Sequence, residues 1–244
     1  MNKLFENPYL PDRKVENIFI SNEISDKIKL TLIQYGIKYH TTINCELFNV
    51  SVSSHPDMLL CKIKNTIYIE KNNIPVIKGI QSDFSGIRII EYDFGEKQIG
   101  YPDEAALNGL YINNKLICNK KSFKPEQETH NTIYVKQGYT KCSLCVVDEN
   151  SFITEDKGIY NELSKNDYDI LYIEPGGVKL NGYDRGFIGG ASGKIDKNIL
   201  AFTGDITKHK EYKKIYEFTK SKGIECISLS DEPLYDYGSI IAIS

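Results

Sequence analysis

Cys142 stands directly after Lys141, and an ammonium beside a thiol can lower its pKa and present the thiolate, the nucleophilic form. His55 lies at a matching place in a similar stretch of chain and offers the base such a nucleophile needs. Asp57 and Asp103 supply carboxylates, which clamp a planar cation through charge-assisted hydrogen bonds. Lys141 and Arg185 supply the opposite charge, and Tyr139 and Tyr237 supply rings with a polar tip. Acids and bases converging on one concave site suit a ligand with a cationic and an anionic end, such as an amino acid. The alternative is that Asp57 and Asp103 pair with Lys141 and Arg185 and finish the fold without a ligand, because buried polar groups must be satisfied. Cys142 has its own plain alternative, a half-buried cysteine on a strand.

These residues recur because the stretches that hold them resemble one another. Ser54-His55-Pro56-Asp57, Gly100-Tyr101-Pro102-Asp103, Gly138-Tyr139-Thr140-Lys141, Gly182-Tyr183-Asp184-Arg185 and Leu234-Tyr235-Asp236-Tyr237 share one pattern. In each, a ring follows a small or apolar residue, with a polar or charged group within two positions. Self-similarity at a spacing of roughly forty residues marks stacked or radial units, each too small to bury an apolar face alone. One tier of a central pocket would then be His55, Tyr101, Tyr139, Tyr183 and Tyr235. A second would be Asp57, Asp103, Lys141, Arg185 and Tyr237.

The elements that must position these tiers can be read from periodicity. The clearest unit has a strand over Cys142–Val147, a turn at 148–150 and a return strand over Ser151–Thr154. A helix over 155–165 carries Ile159 and Leu163 one turn apart, and Tyr168–Ile173 closes the ββαβ unit. The next unit repeats the order, with strands at Gly193–Ile195 and Ile199–Phe202, a helix over 208–222 stopped by Gly223, and a strand at Ile224–Leu229. Two earlier hairpins turn at Lys64-Asn65 and Asn113-Asn114, but Pro75, Gly79 and Pro125 interrupt the helices that follow. The remaining unit is split: the strand Gly238–Ile243 has to pair with Asn17–Ser21, ahead of a helix bearing Ile24, Ile28 and Leu32. The sequence thus predicts an α/β fold, a five-bladed α/β propeller of ββαβ repeats closed by pairing of the N- and C-terminal strands. Its units are 238–244 with 16–42, 54–93, 100–136, 138–174 and 182–231, in one domain spanning 1–244.

Composition narrows the function classes. A hydrophobic content of 41% with 26% charged residues is that of an ordinary globular chain. A net charge of −3 gives no reason to expect nucleic acid or an anionic membrane as partner. No apolar run reaches membrane-spanning length, and Met1–Ile20 carries no export signal. The six cysteines therefore read as reduced thiols of a cytoplasmic protein. Cys142-Ser143-Leu144-Cys145 is a lone CxxC at the start of a strand, where residues three apart face opposite ways, so neither zinc nor another cofactor is expected. Gly189-Gly190-Ala191-Ser192-Gly193 lacks the ending of a phosphate loop and reads as backbone packed near the axis. His130 and His209 read as surface residues and His40 as structural.

A closed ring of five ββαβ units with its seam at the termini resembles the pentein fold. The guanidino-group-modifying branch of that superfamily includes arginine deiminases, dimethylarginine hydrolases, agmatine deiminases and amidinotransferases. The likeness covers nearly the whole chain, is strongest from Tyr139 to Ile153, and implies a bacterial branch of that superfamily. In such enzymes a cysteine near the C-terminus attacks the guanidinium carbon, a histidine handles protons, and carboxylates hold the cation. Carried over, the nucleophile's place falls on Ala242, the histidine's on Tyr139 and an acidic residue's on Lys141; only Asp57 keeps its role. The resemblance therefore implies a small-ligand-binding protein whose central polar pocket takes a guanidino or amino-acid-like compound without the usual cysteine–histidine machinery. A Cys142-dependent amidino hydrolase or transferase supported by His55, and a non-catalytic interaction protein, stand as alternatives, because fold does not dictate activity.

Overall fold

The computed structural model describes residues 4–80, 86–125 and 131–244; His130 lies outside them. The chain begins with β1 (Asn17–Ile20), α1 (Asp26–Gln34) and β2 (Lys38–Thr41), followed by α2 (Pro56–Leu59), β3 (Leu60–Ile63), β4 (Thr66–Glu70), α3 (Ile74–Ile80) and β5 (Arg88–Tyr92). Next come β6 (Leu110–Ile112), β7 (Lys115–Asn119), β8 (Thr132–Val135), β9 (Cys145–Val146), β10 (Ser151–Thr154), α4 (Lys157–Ser164) and β11 (Asp169–Tyr172). It ends with β12 (Ser192–Asp196), β13 (Ile199–Phe202), α5 (Tyr212–Ser221), β14 (Glu225–Ser228) and β15 (Ile241–Ala242).

Local sequence explains these elements. Asn113 and Asn114, with φ of 48° and 57°, supply the left-handed pair that a tight hairpin needs to match the strand twist. The side chain of Ser25 accepts the N–H of Ile28 and starts α1; Asp156 does the same for Ile159 in α4. Ile159 and Leu163 are buried as their spacing predicts. α5 starts later than expected, because Asp205 first caps a separate 3₁₀ turn over Ile206–Lys208.

Five three-stranded sheets result, in the orders β15-β1-β2, β3-β4-β5, β6-β7-β8, β9-β10-β11 and β12-β13-β14. Each joins an antiparallel pair to a parallel third strand. A parallel neighbour requires a crossover, supplied by α1, α3, α4 and α5 in four of the sheets. The first sheet takes strands from both ends of the chain, with Ile18 opposite Ala242 and Phe19 opposite Ile241. β3, β4 and β10 are buried along their whole length. Phe19 and Phe152 share one core cluster and Phe202 fills another, each contributing roughly 1.5–3 kcal/mol by leaving water. Among the described residues, no helix is long and apolar enough to cross a membrane.

One departure from the expected elements matters for the site. The strand expected from Cys142 begins at Cys145. The carbonyls of Tyr139 and Lys141 accept the N–H groups of Ser143 and Leu144, both at 3.0 Å, so residues 139–144 coil into a turn. That turn takes Lys141 and Cys142 out of any ladder and into the interior.

Candidate functional site

Turns from several sheets meet at one buried polar cluster. α2 opens on Pro56, whose fixed φ suits a first helical turn, and carries Asp57 inward. Asn108 enters from the approach to β6, Lys141 and Cys142 from the 139–144 turn, and Asp236 and Ser239 from the approach to β15; all are buried. Gly238 and Ser239 make that last turn with φ of 74° and 77°. A Cβ on Gly238 would stand 2.2 Å from that of His55, so only glycine lets the turn close there. Gly190 is equally constrained, since its Cβ would meet Asp236 Oδ1 at 1.9 Å.

Hydrogen bonds knit the cluster. The Ser239 hydroxyl donates to Asp57 Oδ2 at 2.5 Å and receives from Lys141 Nζ at 2.8 Å. These bonds hold a non-glycine residue in the left-handed region. The ammonium of Lys141 also reaches the Gly189 carbonyl at 3.3 Å and lies 4.8 Å from the centre of the Tyr9 ring. Cys142 Sγ donates to Asp57 Oδ1 at 3.0 Å. Asn108 is the organiser: its Oδ1 accepts the N–H of Lys141 at 2.7 Å, and its Nδ2 reaches Asp57 O at 3.1 Å and Cys142 Sγ at 3.2 Å. Asp236 accepts the N–H groups of Phe187 at 2.9 Å and Gly238 at 3.0 Å, and its Oδ1 lies 3.7 Å from His55 Nδ1.

His55, Cys142 and Asp236 face a cavity of about 80 Å³ that Met58, Tyr139 and Arg185 help to line. Outside it lies a wider bowl of about 510 Å³ walled by Tyr101, Tyr139, Tyr183 and Phe187, with Glu104 beneath. Tyr139 divides the two spaces, its hydroxyl donating to Glu104 Oε1. Burial raises the Asp236 carboxyl to about 6, against the pull of its two backbone N–H donors. Burial likewise lowers the pKa of His55, favouring the neutral ring.

Cys142 differs from its sequence expectation. Burial pushes its thiol well up, the negative charges of Asp57 and Asp236 reinforce that, and Lys141 opposes it only as the smallest contribution. The adjacent ammonium turns to Ser239 and Gly189, so adjacency in sequence does not produce a thiolate. His55, Asp57 and Cys142 do bring donor atoms within 4.8 Å of one another. A cation held there would require the deprotonated thiol and would stand near the Lys141 ammonium, two conditions that oppose it.

The two expected tiers do not form as drawn. Asp103 is exposed, and the neighbouring Glu104 is the buried carboxylate, because a 3₁₀ turn over Asp103–Ala105 rotates the first acid outward and the second inward. Asp57 is buried but spends its oxygens on Ser239 and Cys142 rather than facing the cavity. Tyr237 packs on Tyr235 at 4.6 Å and against the first sheet's core, away from the cavity. Arg185 is exposed at the rim and Tyr139 lines the cavity, whereas Lys141 does not line it and turns to Ser239 and Gly189. Ala242 lies inside the first sheet, opposite Ile18. His209, expected at the surface, is buried against Gly177. Asn108, Asp236, Ser239 and Glu104 were missed as site residues; Asp236 alone carried a signal, standing inside one of the five recurring stretches.

Three-dimensional likeness identifies the class. The inosamine-phosphate amidinotransferase StrB1 of Streptomyces griseus superposes with a TM-score of 0.58 at 8% identity, over 99% of this chain and 97% of that one. The agmatine deiminase of C. jejuni gives 0.53 at 10% identity, over 94% and 92%. SxtG, an amidinotransferase of the saxitoxin biosynthetic pathway from Microseira wollei, gives 0.52 at 11% identity, over 92% and 91%. The fold is that of the pentein superfamily. Residues 19–241 match the model of the family of unknown function DUF6873, and the chain belongs to that family. No curated protein matches the sequence.

Proposed function

We propose that this protein binds a small guanidino or amino compound in the cavity at the centre of a five-bladed α/β propeller. Asp236 carries this reading. It is a fully buried carboxylate on the cavity wall, and each of its oxygens has taken one backbone N–H and retains a lone pair. Holding such a group ionised is unfavourable unless a cation joins it. Arg185 at the rim would meet an anionic end of the ligand. The C. jejuni deiminase is named for agmatine, a guanidino amine, which makes that compound a natural first probe. The protein would work in the cytoplasm, where its six thiols stay reduced.

A second reading, an amidino hydrolase or transferase using Cys142, draws on one observation: the thiol and His55 share the cavity. One experiment separates the two. Arginine, agmatine, citrulline and creatine are screened by thermal shift while ammonia is assayed. Binding alone is expected, with a rise in Tm of roughly 5–10 °C at a hundredfold excess over Kd. Ammonia release that disappears in Cys142→Ser would establish the enzyme instead. No shift with any compound would sink the binding reading.

A further inference from the structure

We infer that the outer bowl is a second binding site, built for an alkylated ammonium group such as trimethylammonium. Two of its wall rings stand outside the core: Tyr101 is 55% exposed and Tyr183 39%. Tyr101 is nevertheless held in place. The Tyr101 hydroxyl accepts the N–H of Gly138 at 3.2 Å, and its ring lies so close to that residue that a Cβ would meet it at 2.6 Å. Tyr183 lines the bowl beside Tyr139. The ring centres of Tyr101 and Tyr139 stand 5.1 Å apart at 47°, and those of Tyr139 and Phe187 6.2 Å apart at 45°. Tilted faces of this kind form a concave wall that offers π-electron density to a cation.

Charge comes from Glu104. Its carboxyl is 1% exposed, Oε1 is taken by Tyr139, and Oε2 is buried with no hydrogen-bond partner among the described residues. A buried, unpartnered acid oxygen beneath an aromatic bowl attracts a cation through space. It presents no surface at which a ligand N–H can be received. A guanidinium or primary ammonium would give up water-bonded N–H groups here and receive no acceptor from Glu104 in return. A quaternary nitrogen has none to lose, and its methyl groups fit against ring faces.

The bowl shares Tyr139, Tyr183 and Phe187 with the inner cavity but draws its charge from a different acid. Glu104 and Tyr101 do not line that cavity, and His55 and Asp236 do not line the bowl. Calorimetric titration with tetramethylammonium, choline, guanidinium and the neutral choline isostere 3,3-dimethylbutanol tests it. The chain has 17 tyrosines and no tryptophan, so tyrosine fluorescence gives a parallel readout. Saturable binding of tetramethylammonium and choline is expected, about tenfold or more tighter than that of the isostere and of guanidinium. Glu104→Gln, which keeps an acceptor for Tyr139, and Tyr183→Leu, a change at an exposed ring, should each weaken it about tenfold. Asp236→Asn should leave it unchanged while weakening agmatine. Equal binding of the isostere, tighter binding of guanidinium, an unaffected Tyr183→Leu variant, or no saturation would each overturn the inference. A bowl that fails while agmatine still binds through Asp236 leaves the inner-cavity function standing.

Discussion

Replacing Asp236 by asparagine is expected to abolish the thermal stabilisation that a guanidino or amino cation gives, while the fold survives. The substitution keeps the size of the side chain and one acceptor for the N–H groups of Phe187 and Gly238, but removes the charge from the cavity wall. Truncating one partner of a desolvated charge pair weakens binding by about 2–5 kcal/mol, or roughly thirtyfold and more. The unliganded variant should behave in the opposite sense. The Asp236 carboxyl is raised in the folded state, so the native protein binds more protons than the unfolded chain between about pH 4 and its folded value of about 6. Stability therefore falls as pH rises through that window, and above it the buried charge destabilises the fold by at most about 3 kcal/mol. Asparagine relieves that penalty, less roughly 1 kcal/mol for the weakened hydrogen bonding. Unliganded Asp236→Asn measured by thermal melting near neutral pH should thus be at least as stable as the wild type. A clear drop in its Tm, or an undiminished ligand shift, would contradict this role.

The second large effect concerns Lys141. Its ammonium is buried beneath Tyr9, bonds Ser239 and Gly189, and through Ser239 reaches Asp57. Lys141→Met keeps the alkyl volume and deletes the charge, leaving Asp57 in the interior without a cation. Removing one member of a buried charge network destabilises by about 3–5 kcal/mol, a fall in Tm of roughly 10 °C for a chain of this size. Adding Asp57→Asn to that background removes the stranded charge and should recover about half of the loss, a coupling that a double-mutant cycle measures. Simple loss of packing would instead make the two substitutions additive. Denaturant melts of the four proteins decide between these outcomes.

Sheets were more legible than the site. Apolar runs broken by asparagine-containing turns marked the hairpins, and Ile159 with Leu163 marked α4, because turn chemistry and helix period are local properties of sequence. The seam was legible in the apolar runs Gly238–Ile243 and Asn17–Ser21, whose strands pair through Ile18 and Ala242 and through Phe19 and Ile241. The site depended on side-chain direction in turns, which no period encodes. Asp103 and Glu104 are adjacent acids, and only the sense of the 3₁₀ turn sends the second inward. Asn108 looks like another turn asparagine beside Asn113 and Asn114, yet it holds Lys141, Cys142 and Asp57 together. Ser239 gave no signal, since serine after glycine is ordinary and its left-handed backbone exists only because Asp57 and Lys141 grip its hydroxyl. Asp236 was in view within Leu234-Tyr235-Asp236-Tyr237, but equating the stretches position by position gave its place in the tier to Tyr237. Cys142 was singled out and lies in the buried cluster, where burial outweighs a neighbouring lysine that points elsewhere and keeps the thiol protonated.

The central claim is that a cation enters the cavity and pairs with Asp236. Calorimetric titration of agmatine as a function of pH tests it most directly. Burial lowers the pKa of His55 and favours its neutral ring, while burial raises the Asp236 carboxyl to about 6. A cationic ligand binds its ionised form. Affinity should be flat above neutrality, begin to fall as pH passes about 6, and drop by up to about tenfold per unit below that, with Asp236→Asn weak throughout. An affinity that ignores pH between about 7.5 and about 5, or a profile unchanged in Asp236→Asn, would contradict the account.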